Sequence, residues 1–218
     1  VFDEVVTAFR VGLGGAQGYF GVTPDLTCFG KIVAGGYPSA GGLGGRRDLV
    51  LRMAAGLESG KKRAYVGGTM AANPLSAAAG YFPLQEIEKR DACAVAGRAG
   101  DRLTAGLQKK IAELGLPFAA YNQGSIVHLE TVGTMFFEID LLHIKRFLKE
   151  TKARKHYMEE YGAAYAAEGL VTLAGSRMYT NASQDDAVID EAIERFGRVF
   201  ERVTPAGSAA SAKEGAAE

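Results

Sequence analysis

Two charged residues near the start of the chain are the best candidates for chemistry. Asp3 lies in the apolar run at residues 1–6, and Lys31 lies between Gly30 and a second apolar run. A buried carboxylate or ammonium group costs several kcal/mol unless it is paired, coordinated or used in a reaction. We therefore expect both charges to stand at strand ends, in surroundings that tend to bury them, for a ligand or a reaction.

A lysine and an aspartate in such places could act together on a carbonyl compound. Desolvation at a strand end lowers the pKa of a lysine and frees its amine to form a Schiff base. An ionised aspartate can hold a pyridinium proton, which makes a pyridoxal ring an electron sink. The pair thus suggests pyridoxal phosphate, although on the residues alone Lys31 could instead extend to the surface while Asp3 caps a loop.

Composition and charge argue against several other classes of function. The chain has 218 residues, of which 47% are hydrophobic and 23% charged, and its formal net charge is +0. These values are typical of a globular protein and speak against nucleic-acid or anionic-membrane binding. Cys28 and Cys93 form no C-x-x-C pattern and the three histidines lack zinc-site spacing, so no metal site is predicted. No apolar run is long enough for a membrane span, and we expect a soluble, cytoplasmic protein.

The elements that position the pair are predicted from glycine and proline. More than half of the 29 glycines fall in the first 80 residues, between short apolar runs that are typical of buried strands joined by functional loops. Proline suits the first helical turn, so a helix is expected to begin at Asn73-Pro74, and Pro83 should kink it or force an early restart. Strands are expected at residues 1–6, 25–29, 40–43 and 64–66.

The second half of the chain is predicted to combine helices with short strands. Apolar residues at helical spacing indicate a long amphipathic helix over residues 92–114, which a Gly-x-Pro sequence ends. Residues 204–218 lack periodicity and are predicted to form a disordered tail. Further strands are expected at 125–129 and 133–139, helices at 142–168 and 184–203, and short extended pieces at 170–173 and 178–180.

Four motifs occur in order along the chain: residues 2–10 (FDEVVTAFR), 13–26 (LGGAQGYFGVTPDL), 30–32 (GKI) and 68–74 (GTMAANP). Together they resemble the class III aminotransferases, which are pyridoxal-phosphate-dependent enzymes of fold type I. Within that family the sequence is most similar to glutamate-1-semialdehyde aminomutase-like members. The resemblance is dense over residues 1–80 and continues more weakly towards residue 203.

The resemblance implies an α/β fold that is only part of a larger one. The chain would supply the second half of a fold type I large domain, with a mixed, mostly parallel sheet and helices, and then a small α+β C-terminal domain. Residues 1–91 would belong to the cofactor-binding large domain, 92–203 to the small domain and 204–218 to the tail. The N-terminal half of such an enzyme is not in this sequence, so we expect a longer polypeptide or a companion N-terminal polypeptide.

The same resemblance implies roles for five residues. Lys31 would form the Schiff base with pyridoxal 5'-phosphate and move a proton, and Asp3 would pair with the pyridine nitrogen. Val5, two residues along the same strand, would press against one face of the ring. Gly68 and Thr69 would reach the cofactor phosphate of the neighbouring subunit just before a helix begins, where free N–H groups favour anions. This implies a homodimer with shared sites.

The implied activity is transfer of an amino group between an amino acid or amine and a keto acid or aldehyde. Its partners would be a small-molecule amino donor and a carbonyl acceptor. An aminomutase or racemase would use the same Lys31 and Asp3, so these reactions stay open, as does a non-catalytic fragment of a split enzyme. Ala8 stands where the family usually has glycine, and residues 178–186 lack the family's His-Thr pair, which leaves the substrate contacts of that loop unassigned.

Glycine-rich and arginine-containing segments offer competing interpretations. The glycines at positions 12–18 invite a dinucleotide site, but the third glycine of G-x-G-x-x-G would have to replace Gln17. Residues 41–47 lack the Lys-Ser/Thr pair of a P-loop, so tight turns are favoured there. Arg46 and Arg47 could bind a carboxylate, and Arg10 could take a polar role near the site or form a structural salt bridge.

Overall fold

The computed structural model describes residues 1–38, 40–54, 62–71, 73–131 and 144–202, with only the helix backbone described for 144–155. Contacts between Cα atoms divide the chain into two compact units, Val1–Val95 and Ala96–Glu218. The strand expected at 133–139 and the tail expected at 204–218 lie outside the described residues. The other predicted helices and strands lie within the described residues, apart from positions 142, 143 and 203, and can be compared with the structure.

The first unit contains a three-stranded sheet in the order β1 (Phe2–Asp3), β2 (Leu26–Phe29) and β3 (Gly42–Gly45). β1 and β2 are parallel, and β2 and β3 are antiparallel. The predicted α/β class with a mixed sheet is therefore confirmed. A predicted strand at 64–66 is wrong: residues 62–68 have no regular secondary structure, and the amide of Ala64 donates to the carbonyl of Arg52 at 3.1 Å instead of to a strand.

β1 ends at Asp3, earlier than the strand predicted for residues 1–6. The amide of Val5 donates to Oδ1 of Asp3 at 3.0 Å, and the amide of Ala8 donates to the carbonyl of Glu4 at 3.1 Å. A side-chain to backbone hydrogen bond such as the one to Asp3 competes with the hydrogen bonds between strands and turns the chain. Val5 consequently lies in a turn, and the expectation that it shares a strand face with Asp3 is wrong.

In its described residues the first unit also contains four helical segments before the helix that begins at Ala92. They are α1 (Gly15–Phe20), a 3-10 turn at Lys31–Ala34, α2 (Arg47–Ala54) and α3 (Pro74–Lys89). Oδ1 of Asn73 accepts hydrogen bonds from the amides of Leu75 at 2.9 Å and Ser76 at 3.4 Å, which caps α3 and confirms its predicted start.

α3 continues through Pro83 as one helix, so an early restart near that residue is wrong, whereas the alternative, a kink, stays a prediction. Pro83 has no amide to bond the carbonyl of Ala79, but the loss concerns a single hydrogen bond. That carbonyl packs closely against Gly35, where an added Cβ would overlap it. The close packing of α3 on the segment around Gly35 offsets the missing bond and holds the helix together.

The second unit pairs three helices with an antiparallel sheet. The sheet order is β4-β5-β6, and buried side chains from α4, β5, α5 and α6 form the core. Leu107, Val127, Leu129 and Tyr165 are fully buried in this core. The elements are α4 (Ala92–Glu113), which begins in the first unit, β4 (Ala119–Gln123), β5 (Ile126–Glu130), α5 (Ile144–Ala167), β6 (Arg177–Tyr179) and α6 (Asp186–Arg202).

Most elements of this unit match their predictions, with β4 as the exception. The helices expected at 92–114, 142–168 and 184–203 are present with small shifts of their ends. β4 pairs with β5 through a tight turn in which Gly124 has a φ of 55°, a conformation that glycine adopts readily. No helix in the described ranges is long and apolar enough to cross a membrane.

Candidate active site

Parallel pairing places the two predicted catalytic residues at one edge of the first sheet. Asp3 is the last residue of β1 and lies beside Cys28 of β2. β2 ends at Phe29, and after Gly30 the chain enters the 3-10 turn that begins with Lys31. Because β1 and β2 run in the same direction, Asp3 and Lys31 both emerge at the carboxyl edge, where open α/β sheets bind ligands.

Both residues are exposed in this chain, which contradicts the expectation that their surroundings bury them. β1 is an edge strand of the described sheet, with β2 as its only neighbour there. In the described part of the first unit, the next residue, Glu4, is the carboxylate that the fold buries. The exposed edge therefore presents one carboxylate and one amine to whatever binds there.

The Asp3 carboxylate is oriented by its own backbone. Its Oδ1 accepts the hydrogen bond from the amide of Val5, and Oδ2 has no hydrogen-bond partner within the described residues. A carboxylate held by one oxygen can accept a second charged or polar donor with the other. Asp3 is thus arranged to receive an N–H group from a ligand.

Lys31 is held in an unusual backbone conformation. Its φ is 50°, in the left-handed region that residues with a side chain rarely adopt, at a cost on the order of 1 to 3 kcal/mol. Within the turn, the amide of Val33 donates to the carbonyl of Gly30 at 3.3 Å and the amide of Gly35 to that of Ile32 at 2.9 Å. Such strain persists where the surrounding structure imposes it, and it is concentrated at functional sites.

Helix α3 supplies that surrounding structure. A Cβ added to Gly80 would overlap the carbonyl oxygen of Val33, and one added to Gly35 would overlap the carbonyl of Ala79. The turn that bears Lys31 therefore packs backbone to backbone on α3. Oγ of Ser76, which is also buried, donates to the carbonyl of Pro38 at 2.8 Å and fixes the segment that follows the turn.

Val5 lies next to the residue that precedes Lys31. A Cβ added to Gly30 would lie 3.2 Å from Cγ1 and 3.3 Å from Cγ2 of Val5. The Val5 side chain therefore packs against the Gly30 backbone, although Val5 reaches this place from a turn. The structure thus brings Asp3, Val5 and Lys31 into one neighbourhood of the sheet edge.

Gly68 and Thr69 lie in the exposed loop and turn that lead to α3. The amide of Ala71 donates to the carbonyl of Gly68 at 2.9 Å, which closes this turn. The first amides of α3 are bonded by the side chain of Asn73, so the helix start has its own cap. A phosphate-binding role for Gly68 and Thr69 stays a prediction, and it would depend on this turn.

Glu4 is the residue of this region that sequence reasoning missed. Its side chain is fully buried and accepts hydrogen bonds from Oγ1 of Thr7 and from the amides of Ala16 and Gln17, both at 2.9 Å. Burial opposes ionisation, but these three hydrogen bonds outweigh it and hold the pKa of Glu4 below its usual value. The available signal was a second acidic residue in the same apolar run as Asp3.

The glycine-rich segment at positions 12–18 binds this carboxylate. Gly15 has a φ of 62°, and a Cβ added there would lie 2.7 Å from Oε2 of Glu4. The amides of Ala16 and Gln17, which begin α1, are the kind of donors that a dinucleotide phosphate would use. Since they bond Glu4 instead, the structure favours the loop interpretation of this segment over the nucleotide site.

Two other side chains, those of Arg46 and Cys93, have structural partners. Arg46 forms ion pairs with Asp25 and Asp48, each at 2.9 Å, and hydrogen bonds to both aspartates raise its pKa. Sγ of Cys93 donates to the carbonyl of Phe9 at 3.2 Å, and burial raises the pKa of this thiol. In the described part of the chain, no group of three or more His, Cys, Asp or Glu side chains could hold a metal ion.

The described residues include two cavities that neither Asp3 nor Lys31 lines. One of about 670 Å³ in the first unit is lined by residues on either side of Lys31, including Phe29 and Val33, and by Asn73 and Ser76 of α3 and its cap. The other, of about 990 Å³, lies in the second unit between β6, α6 and residues 169–173.

The sequence is similar to that of a known protein over most of its length. The chain is 35% identical over 206 residues to glutamate-1-semialdehyde 2,1-aminomutase 2 of Shouchella clausii. The matched region covers 93% of this chain but only 44% of that protein. The chain therefore spans less than half the length of the curated relative that it matches.

Solved structures of similar fold are consistent with this coverage. An omega-transaminase from Sphaerobacter thermophilus superposes with a TM-score of 0.73 at 24% identity, covering 92% of this chain and 43% of that one. A glutamate-1-semialdehyde aminomutase from Pseudomonas aeruginosa, solved in complex with PMP, superposes with a TM-score of 0.72 at 19% identity. The superposition covers 93% of this chain and 44% of that one.

These likenesses establish the fold as that of part of a fold type I enzyme. The family model for "Aminotransferase class-III" matches residues 1–198, which includes the sheet edge with Asp3 and Lys31 and nearly all of the second unit. Because this model matches most of the sequence, the chain belongs to the class III aminotransferases.

Proposed function

We propose that this chain is the C-terminal part of a pyridoxal-phosphate-dependent enzyme that moves an amino group between an amino acid or amine and a keto acid or aldehyde. One observation carries the proposal: parallel β1 and β2 bring Asp3 and Lys31 to the same sheet edge. Bound pyridoxal phosphate would supply an electron sink for the reacting carbon of the substrate. An exposed amine and an exposed carboxylate with one available oxygen fit that group.

Each site residue would then have a separate task. Nζ of Lys31 would bind the cofactor covalently and move a proton to and from the substrate carbon. Oδ2 of Asp3 would hold the proton on the ring nitrogen, since Oδ1 is already bonded to the amide of Val5. Val5 would support one face of the ring from its place beside Gly30. Gly68 and Thr69 would contribute to phosphate binding across a homodimer interface.

A second candidate reaction is an aminomutase, or a racemase on the same scaffold. The specific observation that favours it is the 35% identity to a glutamate-1-semialdehyde 2,1-aminomutase. Both reactions would use Lys31 and Asp3 in the same way, so the site itself does not distinguish them. The amino donor and acceptor would be small molecules in either case.

The remainder of the site would come from outside this sequence. The chain covers 44% of the curated relative, and Asp3 and Lys31 are exposed in the first unit. We infer that an N-terminal part of the fold, in the same polypeptide or in a companion one, covers this edge in the working enzyme. A chain without that part would be a non-catalytic fragment of a split enzyme.

Absorbance after addition of pyridoxal phosphate tests the cofactor assignment. We expect a visible band that is lost in Lys31→Ala and kept in Lys109→Ala, which removes an exposed lysine of α4. A band that persists in Lys31→Ala would contradict the assignment. A Lys31-dependent band that forms only with the N-terminal part present would support the split arrangement.

Supplying an amino donor without an acceptor separates the two reactions. A transaminase should release the keto acid from the donor in an amount equal to the enzyme and keep the amino group on the cofactor. An aminomutase or racemase should instead convert the donor into an isomer without net release of keto acid. Isomer without keto product would overturn the transaminase as the leading function.

A further inference from the structure

We propose that Glu4 is a positioning residue, which ties the segment from Thr7 to Gln17 to the end of β1 and thereby sets the direction of the Asp3 carboxylate. The first half of this inference depends on contacts within the chain alone. The second half rests on the proposed function, because it assigns Asp3 a task at the cofactor. Hydrogen exchange tests the anchoring of the segment, and kinetics of the assembled enzyme test the effect on Asp3.

Glu4 makes hydrogen bonds through both its backbone and its side chain. Its amide donates to the carbonyl of Cys28 at 2.9 Å, and its carbonyl accepts from Ala8 at 3.1 Å. Its carboxylate accepts from Thr7, Ala16 and Gln17. One residue therefore joins β1 to β2, to the turn that follows β1, and to the start of α1.

The carboxylate is the chemical group that this environment requires. The amides of Ala16 and Gln17 belong to the first turn of α1, whose N–H groups have no partner within the helix. Oε1 bonds one of them and Oε2 the other. A glutamine could accept from one amide with its oxygen but would direct its own N–H₂ donors towards the other, which leaves buried donors unpaired.

Gly15 gives an independent indication that the contact is built into the fold. Its Cβ position is 2.7 to 2.9 Å from three atoms of the Glu4 carboxylate, and its φ of 62° disfavours any side chain. A residue larger than glycine would displace the carboxylate from the two amides. Position 15 therefore provides a second way to break the same contact without changing Glu4.

The contact controls Asp3 because the two residues are adjacent at the end of a strand. Successive side chains of an extended chain point to opposite faces. Glu4 is fully buried and Asp3 is exposed, so anchoring Glu4 inward directs Asp3 outward to the sheet edge. The same anchoring fixes the turn whose Val5 amide bonds Oδ1 of Asp3.

Hydrogen exchange tests the first half of the proposal on the chain itself. In Glu4→Gln we expect the amides of Ala16 and Gln17 to exchange at least about fivefold faster than in the parent chain, since each lost hydrogen bond contributes roughly 1 kcal/mol or more. The control is Glu88→Gln, the same substitution at an exposed position of α3, which should leave both rates unchanged. Equal rates in Glu4→Gln and the parent chain would overturn the proposal.

Gly15→Ala keeps the test decisive if Glu4→Gln does not fold. It should raise the exchange rates of the same two amides. Unchanged exchange rates in Gly15→Ala would overturn the proposal. When both single variants fold, the double variant should exchange little faster than either one, because the effects of residues that share one contact are not additive. Exchange effects that multiply in the double variant would overturn the shared contact.

Kinetics of the assembled enzyme test the link to Asp3. If Glu4 acts through Asp3, Glu4→Gln should lower kcat on the order of tenfold and shift the cofactor band in the same direction as Asp3→Asn. The double variant Asp3→Asn/Glu4→Gln should be little slower than Asp3→Asn alone. A multiplicative loss, or a change in melting temperature without a band shift, would overturn the positioning role. Absence of any Lys31-dependent band in the unmodified enzyme would instead count against the proposed function and leave the exchange result standing.

Discussion

Three neighbouring residues of one short segment have three different environments in this structure. Asp3 presents its carboxylate to the sheet edge, Glu4 buries its carboxylate under a loop, and Val5 packs against Gly30. The difference comes from strand geometry followed by a turn, which sends consecutive side chains in different directions. Charge alone therefore does not identify the functional carboxylate.

Asp3→Asn tests the role of the exposed carboxylate. Asparagine can still accept the amide of Val5, so the backbone should be unchanged, but the negative charge at the edge is lost. We expect kcat of the assembled enzyme to fall on the order of 100-fold, because an electrostatic contact to the reacting group is removed.

The matched control for this substitution is Asp25→Asn, which removes an exposed aspartate that pairs with Arg46. Asp25 has no assigned task at the site, so kcat should stay within about twofold, as expected for a surface ion pair. Equal decreases of kcat in the two variants would contradict a role for the Asp3 carboxylate in the reaction.

The sequence indicates Asp3 and Lys31 as candidate site residues, whose roles stay predictions, and it gives no sign of the buried contact that Glu4 makes. All three are charged residues near apolar runs, but only the structure shows which face each side chain takes. The contact that selects Glu4 for burial comes from residues 12 and 13 positions later in the chain, at Ala16 and Gln17. Neither of those partners offers a side-chain signal, because both bonds come from backbone amides.

At the scale of elements, α3 and the turn at Lys31–Ala34 depend on each other. Gly80 and Gly35 allow the two backbones to touch, and this contact supports the strained φ of Lys31. The start of α3 was predictable from Asn73 and Pro74, since capping is a local property. Its continuation through Pro83 was not, because it depends on a tertiary contact.

Gly80→Ala tests this contact. Alanine favours a helix, but its Cβ would overlap the carbonyl of Val33, so the turn with Lys31 would have to move. We expect the free energy of unfolding to fall by about 1 to 3 kcal/mol, as for overpacked sites, with weaker Lys31-dependent absorbance after addition of pyridoxal phosphate.

The control for Gly80→Ala is the same substitution within α6. A Cβ at Gly197 would meet only the flexible side chain of Lys110, at 3.4 Å or more. Gly197→Ala should therefore be neutral or stabilising by up to about 1 kcal/mol in chemical denaturation. Stabilisation by both substitutions would show that α3 and the turn are not in close contact.

One acidic residue, Glu168, links α6 to the end of α5 in the second unit. Glu168 accepts hydrogen bonds from Arg198 and Arg202, each at 2.9 Å, and these partners hold its pKa below the usual value. A lowered pKa means that the ion pairs stabilise the fold above the ordinary carboxyl pKa. That stabilisation is lost as the pH falls through the lower, folded-state pKa.

Glu168→Gln should therefore reduce the dependence of stability on pH in the acid range. We expect the melting temperature of the unmodified chain to fall more steeply than that of the variant as the pH drops below about 4.5. High salt should narrow the difference at neutral pH, since the arginine partners are partly exposed. Parallel curves for the two proteins would contradict this role for Glu168.

Across the whole molecule, elements defined by local interactions are predicted well from the sequence, and elements defined by distant partners are predicted poorly. Helices with a clear apolar face were located well, as α4 and α6 show, because their pattern repeats over many residues. β4 was missed and a strand at 64–66 was wrong, because short strands exist only through their partners. β4 is defined by β5, whereas residues 62–68 have no partner strand in the described part of the chain.

Large apolar side chains are exposed on the first unit, which suggests a surface that another polypeptide covers. Tyr65 is 87% exposed, Phe82 65% and Tyr81 58%, and such exposure is typical of interaction sites when residues cluster. We expect Phe82→Glu to weaken association in the assembled enzyme, measured as a lower mass by light scattering. Ala112→Glu, an exposed position of α4, should leave the mass unchanged, and equal effects of both would contradict a role for Phe82.

The parallel pairing of β1 and β2 also has a consequence for how such a gene can be divided. Asp3 and Lys31 belong to one β-α-β segment of the chain, in which only about two dozen residues separate the paired strands, so closing it costs little chain entropy. Any break in the coding sequence upstream of β1 leaves the amine and the carboxylate on the same product. Such a product would inherit both candidate site residues together, and a second product would need to contribute the remainder of the proposed site.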